Sequence, residues 1–220
     1  MPSIDPQEEW RLLVGGEWVA ARSTYPIVDP YTTDPVGHAP DAGVAEASEA
    51  ISAARGALNS WRSTPIEERC GLLGRLADLL EERAPGWAAL VQAETGSTIT
   101  ITETLQVAGG LIDRFRYYSR PRSIDSAELP LAQGASALGA AGLVAAAVHH
   151  EPVGVVLCIT PYNFPLTNVA GKIAPALAMG NTCIIKPAPQ DPLGILRLGE
   201  AIVDAGFPPG VVNIVVSSGA

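Results

Sequence analysis

The fold of this chain is decided by residues 152–189, PVGVVLCITPYNFPLTNVAGKIAPALAMGNTCIIKPAP. Residues 153–159 form a continuous apolar run rich in β-branched side chains, which is typical of a strand covered on both faces. Apolar residues recur at helical spacing over 166–179, where Gly180 and Asn181 end the helix, and residues 182–185 resume an apolar strand that ends at Lys186. The pattern predicts a β-α-β unit.

The turn between the first strand and the helix is stiffened by two prolines. Pro161 fixes its own φ, and Pro165 restricts the backbone of Phe164. Tyr162 and Asn163 are therefore held between two rigid points. A turn built in this way can aim one side chain from the end of the strand.

The residues that follow extend the same pattern. Residues 192–205 predict a second helix, 206–210 a Gly- and Pro-rich turn, and 211–216 a third apolar strand. Right-handed crossovers would make this β-α-β-α-β series half of a doubly wound (Rossmann-like) parallel sheet, which binds ligands at the carboxyl ends of its strands. We expect the third strand to be a free sheet edge, and the isolated chain to aggregate or need a partner.

The amino-terminal part is predicted to be a hairpin, an extended arm and a helical region. Residues 11–20 form two short apolar segments around Gly15 and Gly16, as in a β-hairpin. The prolines of residues 21–40 predict an extended arm that crosses a surface. Residues 44–58 predict the first helix, with Trp61 after it as a packing anchor.

Three further helices are predicted before the central unit. Residues 64–67, Thr-Pro-Ile-Glu, resemble a capping box with proline at the first helical position, and the helix they start should end near 83–86. Residues 87–94 then form a short helix that Gly96 closes. Residues 103–118 form the last one, in which Gly109 and Gly110 indicate close helix packing.

Residues 123–142 are small and polar and are predicted to be a loop, followed by a strand over residues 143–148. His149 and His150 come next. Adjacent residues of a strand point to opposite faces, so these two histidines make a poor metal pair, and no metal site is expected.

Composition excludes several classes of protein. The 220 residues are 47% hydrophobic, which is ample for a packed core, and the formal charge of −9 without a basic stripe disfavours nucleic acid as a partner. No stretch predicts a membrane span or a targeting signal, so we expect a cytoplasmic chain with no membrane partner. Cys70, Cys158 and Cys183 are widely spaced and are expected to be reduced, buried thiols.

Four blocks of sequence, in order, resemble the successive motifs of the aldehyde dehydrogenase superfamily. The first is residues 159–165, ITPYNFP, and the second is residues 172–181, KIAPALAMGN. Residues 186–188, KPA, and 205–213, AGFPPGVVN, complete the series. The hairpin with Trp18, the proline-rich arm and the helical region are also similar to the amino-terminal part of that family. The resemblance therefore covers nearly this whole chain, but only the first part of the family.

The resemblance implies oxidation of an aldehyde by a cysteine thiolate, with hydride transfer to NAD or NADP and a glutamate as the hydrolytic base. Asn163 matches the asparagine whose amide helps to hold the thiohemiacetal oxyanion, although asparagine is also common in ordinary turns. Lys172 matches a lysine near the active-site end of the first helix, and it could equally extend into solvent.

The resemblance also implies the cofactor-binding positions. Lys186 matches the lysine that binds the adenosine ribose, and Ile159, Thr160, Pro161 and Tyr162 match residues that line the cofactor cleft. Many NAD-preferring members have a glutamate three residues after that lysine. This chain has Pro189 there, so the choice between NAD and NADP is open.

The catalytic cysteine and glutamate of the family belong to segments beyond residue 220. Cys158 and Cys183 lie in apolar strands where burial should raise the thiol pKa, so neither is a convincing substitute nucleophile. We expect the chain alone to be inactive. It is either the amino-terminal part of an aldehyde dehydrogenase or a non-catalytic remnant or interaction subunit that keeps part of the dinucleotide fold.

The predicted domain organisation has four parts: residues 1–40, the hairpin and arm; 41–122, the helical region; 123–150, a loop and oligomerisation-type hairpin; and 151–220, the incomplete dinucleotide-binding part. In the family, a hairpin like that expected at about 137–150 joins an intersubunit sheet, so the whole protein is expected to be a homo-oligomer. Phe115, Tyr117 and Tyr118 could line the aldehyde tunnel or lie in the core, and aromatics at near-helical spacing are more often core residues.

Overall fold

The computed structural model describes residues 4–121, 127–135, 141–148 and 150–219 of the chain, which forms an α/β fold. The strands are β1 Leu12–Val14, β2 Glu17–Val19, β3 Ser23–Val28, β4 Pro35–Asp41, β5 Ala127–Ala135, β6 Ala141–Val148, β7 Val155–Ile159, β8 Thr182–Lys186 and β9 Val212–Ile214. The helices are α1 Val44–Ser63, α2 Ile66–Thr95, α3 Ile99–Ile101, α4 Asp113–Tyr118, α5 Pro165–Ala178 and α6 Leu193–Asp204, and a π-helical stretch, Thr102–Ile112, joins α3 to α4.

The predicted β-α-β-α-β series is confirmed. Strands β7, β8 and β9 are parallel, and they belong to a five-stranded sheet of order β2-β1-β9-β8-β7. The Thr182 hydroxyl donates a hydrogen bond to the carbonyl of Ala54 in α1. Because side chains alternate along a strand, Ile184 and Lys186 share this α1 face, whereas Cys183 points to the other face of the sheet.

The expectation that the third strand is a free edge is wrong. The amino-terminal hairpin folds back onto it, and β1 pairs antiparallel with β9 through Leu13 and Ile214. Asn213 reinforces this junction, because its Oδ1 accepts a hydrogen bond of 2.8 Å from the backbone N–H of Gly15. Within the part of the chain that the structure describes, the parallel strand without a second neighbour is β7 instead.

The hairpin of residues 11–20 is confirmed, but the extended arm is not. Residues 21–40 form a second antiparallel hairpin, in which β3 pairs with β4. Its prolines are tolerated because both strands of a two-stranded sheet are edges, where a missing N–H can face away from the partner. Asp29 closes the turn by accepting hydrogen bonds from the backbone of Tyr31 and Thr32.

The predicted capping box at the start of α2 is also wrong. The Thr64 hydroxyl donates to the carbonyl of Ser60, so it completes the end of α1, and Pro65 occupies the cap position with no side-chain cap bond. Arg69 secures this corner from a nearly buried position. Its guanidinium donates to the carbonyl of Thr64 and, over 2.9 Å, to that of Ala178.

The two helices predicted between residues 66 and 94 are one helix. Helix α2 continues through Pro85 and Gly86 and ends at Gly96, whose φ of 68° is the left-handed cap predicted for it. The helix continues past Gly86 because the next residue, Trp87, packs against α6. Its indole is buried and donates a hydrogen bond to the carbonyl of Gly194. Packing against α6 outweighs the local preference of proline and glycine to end a helix.

The helix predicted over residues 103–118 exists, with a π-helical centre, and it packs against α5 as its glycines indicated. A Cβ atom placed on Gly110 would lie 2.0 Å from Oγ1 of Thr167 and 2.5 Å from the carbonyl oxygen of Leu105. The Thr167 hydroxyl in turn donates to that carbonyl over 3.2 Å. Of the aromatics, Phe115 is buried in the core, and Tyr117 is exposed.

The loop predicted over residues 123–142 is largely a strand. Strand β5 pairs antiparallel with β6 in a separate two-stranded sheet, with a register shift between Leu129 and Ala132. Small residues such as Ala and Gly carry little strand signal, which explains why the sequence did not indicate β5. His149 and residues 122–126 and 136–140 lie outside the described residues, so the opposite-facing histidines stay a prediction.

The close approach of Thr167 to Gly110 predicts that a larger residue at position 110 destabilises the protein. Gly110→Ala should lower the free energy of unfolding by roughly 1–3 kcal/mol, because the new methyl group overlaps Thr167 and the π-helical backbone. Gly56→Ala is the matched control, since no atom lies within 4 Å of its Cβ position in α1, and it should stabilise the protein by about 0.5–1 kcal/mol. Urea unfolding measures both; equal effects would contradict the packing described.

Candidate active site at the carboxyl ends of the parallel strands

The carboxyl ends of β7 and β8 are joined by a backbone hydrogen bond. The N–H of Thr160, the first residue after β7, donates to the carbonyl of Lys186 over 3.1 Å. The turn that carries Asn163 and the strand end that carries Lys186 are therefore fixed to each other. Parallel pairing places both at one edge of the sheet, where open α/β sheets bind ligands.

The Asn163 side chain is oriented by a residue of α5. Nδ2 of Asn168 donates to Oδ1 of Asn163 over 3.4 Å, and the backbone N–H of Asn168 donates to the carbonyl of Phe164. Because the oxygen of the Asn163 amide accepts this bond, the Nδ2 group of Asn163 can donate to another partner. Asn163 is exposed, so a ligand can reach that donor.

Lys172 lies farther along α5, exposed to solvent. It does not meet Asn163, which is nine residues earlier in the chain. Its charge instead reaches the Cys158 thiol, which lies on β7 beneath the helix.

The two strand cysteines are completely buried, as expected, but their pKa values differ. A hydrogen bond with Cys183, followed by the charge of Lys172, lowers the pKa of Cys158 although burial opposes this shift. The bond with Cys158 and burial raise the pKa of Cys183 well above its usual value. The expectation of a raised pKa is thus wrong for Cys158, yet burial still keeps its sulfur from any substrate.

Lys186 lies at the end of an apolar groove between α1 and the sheet. The groove has a volume of about 580 Å³, and Lys186 Nζ donates to the carbonyl of Gly219 over 3.1 Å at its rim. The apolar walls come from both elements: Val44, Ala47 and Ile51 of α1, and Val155, Leu157 and Ile184 of the sheet.

The groove walls do not include residues 159–162, which were expected to line a cofactor cleft. Ile159 and Tyr162 are exposed, with 59% and 61% of their surface accessible, and Pro161 is exposed beside them. Thr160 is buried, and its hydroxyl has no hydrogen-bond partner within the ranges that the structure describes. The turn thus presents apolar surface at the edge of the sheet and contains one buried, unsatisfied hydroxyl.

Pro189 is half-buried in the loop from β8 to α6, and the sequence did not indicate what supports this loop. Glu94, in the last turn of α2, is buried and accepts bonds of 2.8 Å and 2.6 Å from the N–H groups of Leu193 and Gly194. A carboxylate at a helix C-terminus opposes the helix dipole, which is the one signal that Glu94 serves another element. Here it caps the N-terminus of α6.

A second buried carboxylate, Asp191, lies in the same loop, with 1% of its surface accessible. Burial raises its pKa from 3.8 to about 7. Burial, and then the charge of Asp191, raise the pKa of Glu94 well above its usual value. The Tyr25 pKa is raised as well, by burial and by the charges of Asp41, Glu94 and Asp191. The buried acidic groups Glu94 and Asp191, with Tyr25, therefore form a cluster in and beside the loop after Lys186.

Parallel strands with crossover helices, and polar groups gathered at their carboxyl ends, define a Rossmann-like α/β protein. Comparison with known proteins narrows the class. The model of the aldehyde dehydrogenase family matches residues 18–220. This chain belongs to the aldehyde dehydrogenase family. Among the residues that the structure describes, no helix is both long and apolar enough to cross a membrane.

Similar proteins include enzymes from several organisms. The chain is 37% identical to a mitochondrial aldehyde dehydrogenase of Leishmania tarentolae over 96% of its length and 41% of that protein. It is 36% identical to a phenylacetaldehyde dehydrogenase of Pseudomonas fluorescens over 100% of its length and 44% of that protein. The chain thus spans less than half the length of these curated relatives.

Solved structures of similar proteins also match this chain over less than half of their own length. An NAD+ complex of an aldehyde dehydrogenase from Bacillus cereus has a TM-score of 0.85 and 32% identity, over 96% of this chain and 42% of that one. An NADP dependent enzyme of E. coli has a TM-score of 0.85 and 30% identity, over 96% of this chain and 43% of that one.

The buried Asp191 predicts an unusual dependence of stability on pH. Between about pH 4 and 7 the folded protein keeps a proton on Asp191 that the unfolded chain has released, so stability falls as pH rises through this range. Asp191→Asn should make that fall smaller, leaving the part that the raised pKa of Glu94 contributes, and should stabilise the protein at pH 8 by roughly 2–4 kcal/mol.

Urea unfolding between pH 4 and 8 measures this effect. Glu49→Gln, which removes an exposed carboxylate of α1, is the control, and the change in the profile of Asp191→Asn should exceed any change that it causes. Parallel profiles for the wild type and Asp191→Asn would show that Asp191 is ionised in the folded protein at low pH.

Proposed function

We propose that the full-length protein oxidises an aldehyde to a carboxylic acid with NAD or NADP. The observation that carries this proposal is the oriented amide of Asn163, fixed through the Thr160–Lys186 bond to the strand end that would hold the cofactor. In the overall reaction, aldehyde, water and oxidised cofactor give carboxylate, reduced cofactor and two protons. Membership of the aldehyde dehydrogenase family supports this reaction.

Asn163 would stabilise the negative oxygen that forms when a thiolate adds to the aldehyde. Its Nδ2 group can donate to that oxygen because Asn168 engages the amide oxygen. Pro161 and Pro165 restrict the turn, so the donor is oriented before the charge develops. Such preorganised donors contribute more in a site from which water is excluded than they would in bulk solvent. Lys172 would contribute a positive charge farther along the same helix.

The residues present fit a nicotinamide cofactor. Lys186 ends β8 beside an apolar groove, and the Thr160 hydroxyl is a buried polar atom without a partner in the described ranges. Lys186 would hold the adenosine ribose, while Ile159, Pro161 and Tyr162 would contact the cofactor through packing. When bound, the cofactor accepts the hydride that leaves the aldehyde carbon.

The loop after Lys186 supports the use of either cofactor. Pro189 stands where a carboxylate would bind the ribose 2′-hydroxyl and repel a 2′-phosphate. Without that carboxylate, neither NAD nor NADP is excluded by charge. Both cofactors occur among the similar structures, one of which is an NAD+ complex and another an NADP dependent enzyme.

The nucleophile and the base would come from parts of the protein that lie outside these residues. The three cysteines of the chain are all buried, and the chain spans less than half of its curated relatives. Residues 1–220 alone should therefore be inactive. Strand β7 has one unpaired edge within the described residues, which supports the idea that a further strand pairs with it.

A homo-oligomer is part of the same proposal. Strands β5 and β6 form an antiparallel sheet of only two strands, so each has one edge unpaired within the described residues. An unpaired edge can extend by pairing with a strand of another subunit. The hairpin is thus suited to join a sheet between subunits.

The role of Asn163 can be tested in the full-length protein. Asn163→Ala should lower kcat/KM for aldehyde oxidation by roughly a hundredfold, about 3 kcal/mol, because one oxyanion donor is lost. The Kd of the cofactor should stay within about twofold, since the amide acts on the reacting oxygen. Absorbance of the reduced cofactor and calorimetric titration measure these two quantities.

Asn59→Ala, an exposed asparagine of α1, is the control and should leave both quantities unchanged. If Asn163→Ala weakened cofactor binding as much as turnover, Asn163 would be a cofactor ligand and not an oxyanion donor. If the wild-type protein oxidised no aldehyde with either cofactor, the proposed reaction itself would be wrong.

A further inference from the structure

An arginine from a neighbouring helix lies over the outward face of α5. Arg114, in the first turn of α4, is exposed, and it makes no hydrogen bond or ion pair with any residue in the described ranges. A Cβ atom placed on Gly171 would lie 3.1 Å from Nη1 of Arg114. Because Gly171 has no side chain, the guanidinium can occupy the space above α5.

This guanidinium is on the same face of α5 as the Asn163 turn. Phe164, Thr167, Asn168 and Gly171 are spaced three or four residues apart, so they share one side of the helix, and all four are partly exposed. Gly171 is six residues beyond Pro165, the first residue of α5. At 1.5 Å per residue, Gly171 lies about 9 Å along the helix axis from Pro165, and the Arg114 guanidinium lies beside Gly171.

The surroundings leave Arg114 available to a ligand. It lines a pocket of about 430 Å³ together with Gly109, Asp113, Tyr117 and Tyr118. Asp113 is the one acidic member of this lining, and it forms no ion pair with Arg114 in the described structure. A free guanidinium offers a planar set of donors whose geometry matches a carboxylate.

We propose that Arg114 is a substrate-binding residue that recognises a carboxylate at the far end of the aldehyde. This inference rests on the proposed aldehyde oxidation and specifies its substrate class. The aldehyde oxygen would lie at Asn163 and the carboxylate at Arg114, so a short carbon chain along one face of α5 would join the two groups. The substrate is then the semialdehyde of a short dicarboxylic acid, and the product is the dicarboxylate.

The full-length protein tests this through the ratio of kcat/KM values for succinic semialdehyde and butanal, which have the same number of carbons. The wild type should prefer the semialdehyde. Arg114→Gln should lower kcat/KM for the semialdehyde by roughly ten- to a hundredfold, the effect of losing a charged hydrogen-bond partner, and change that for butanal by less than about twofold. Arg62→Gln is the control, because this exposed arginine lies beside Gly180, beyond the opposite end of α5.

Equal losses for both aldehydes in Arg114→Gln, or no loss for either, would overturn the assignment of Arg114, and so would a wild type that favours butanal. Calorimetric titration with succinate separates this result from a failure of the proposed reaction. If no aldehyde is oxidised, succinate should still bind to the wild type and to Arg62→Gln and lose at least about tenfold in affinity in Arg114→Gln. Identical succinate binding by all three proteins would exclude the carboxylate site.

Discussion

The parallel pairing of β7 with β8 is the constraint on which the site depends. It brings the end of each strand to one edge, and the bond from Thr160 to Lys186 joins the two ends directly. The parts of the site lie at or beside this edge. They are the proline-braced turn, the helix α5 that follows it, and the groove between α1 and the sheet. The amide of Asn163 is exposed, yet it is oriented, because Asn168 on the first turns of α5 holds its oxygen.

Two glycines set how closely helix α5 is approached by its neighbours, one in the π-helical stretch and one in α5 itself. Gly110 lets the π-helical stretch approach until only a hydrogen atom fits beside Thr167, and Gly171 leaves room for the Arg114 guanidinium. The same segment that packs closely at Gly110 therefore carries Arg114 over the helix one turn later. The contact between this segment and α5 thus accounts both for the close packing at Gly110 and for the position of Arg114.

The sequence predicted what depends on neighbouring residues and missed what depends on distant ones. Periodicity and the stops at Gly180 and Gly96 were enough for β7, α5, β8 and the end of α2. The path of α2 through Pro85 was missed because burial against α6 decides it, and the pairing of β1 with β9 joins residues about 200 positions apart. The motif residues were found by resemblance, whereas Glu94 carries only a weak local signal for its bonds to α6.

A crystal structure of the full-length protein with NAD+ or NADP+ bound tests the central claim most directly, because that claim is about where the cofactor and the reacting oxygen meet. The account predicts a dinucleotide across the carboxyl ends of β7 and β8, with a ribose hydroxyl bonded to Lys186 Nζ and the nicotinamide on the side of the Asn163 amide. A dinucleotide bound elsewhere, without contact to Lys186 or to the turn after β7, would contradict it.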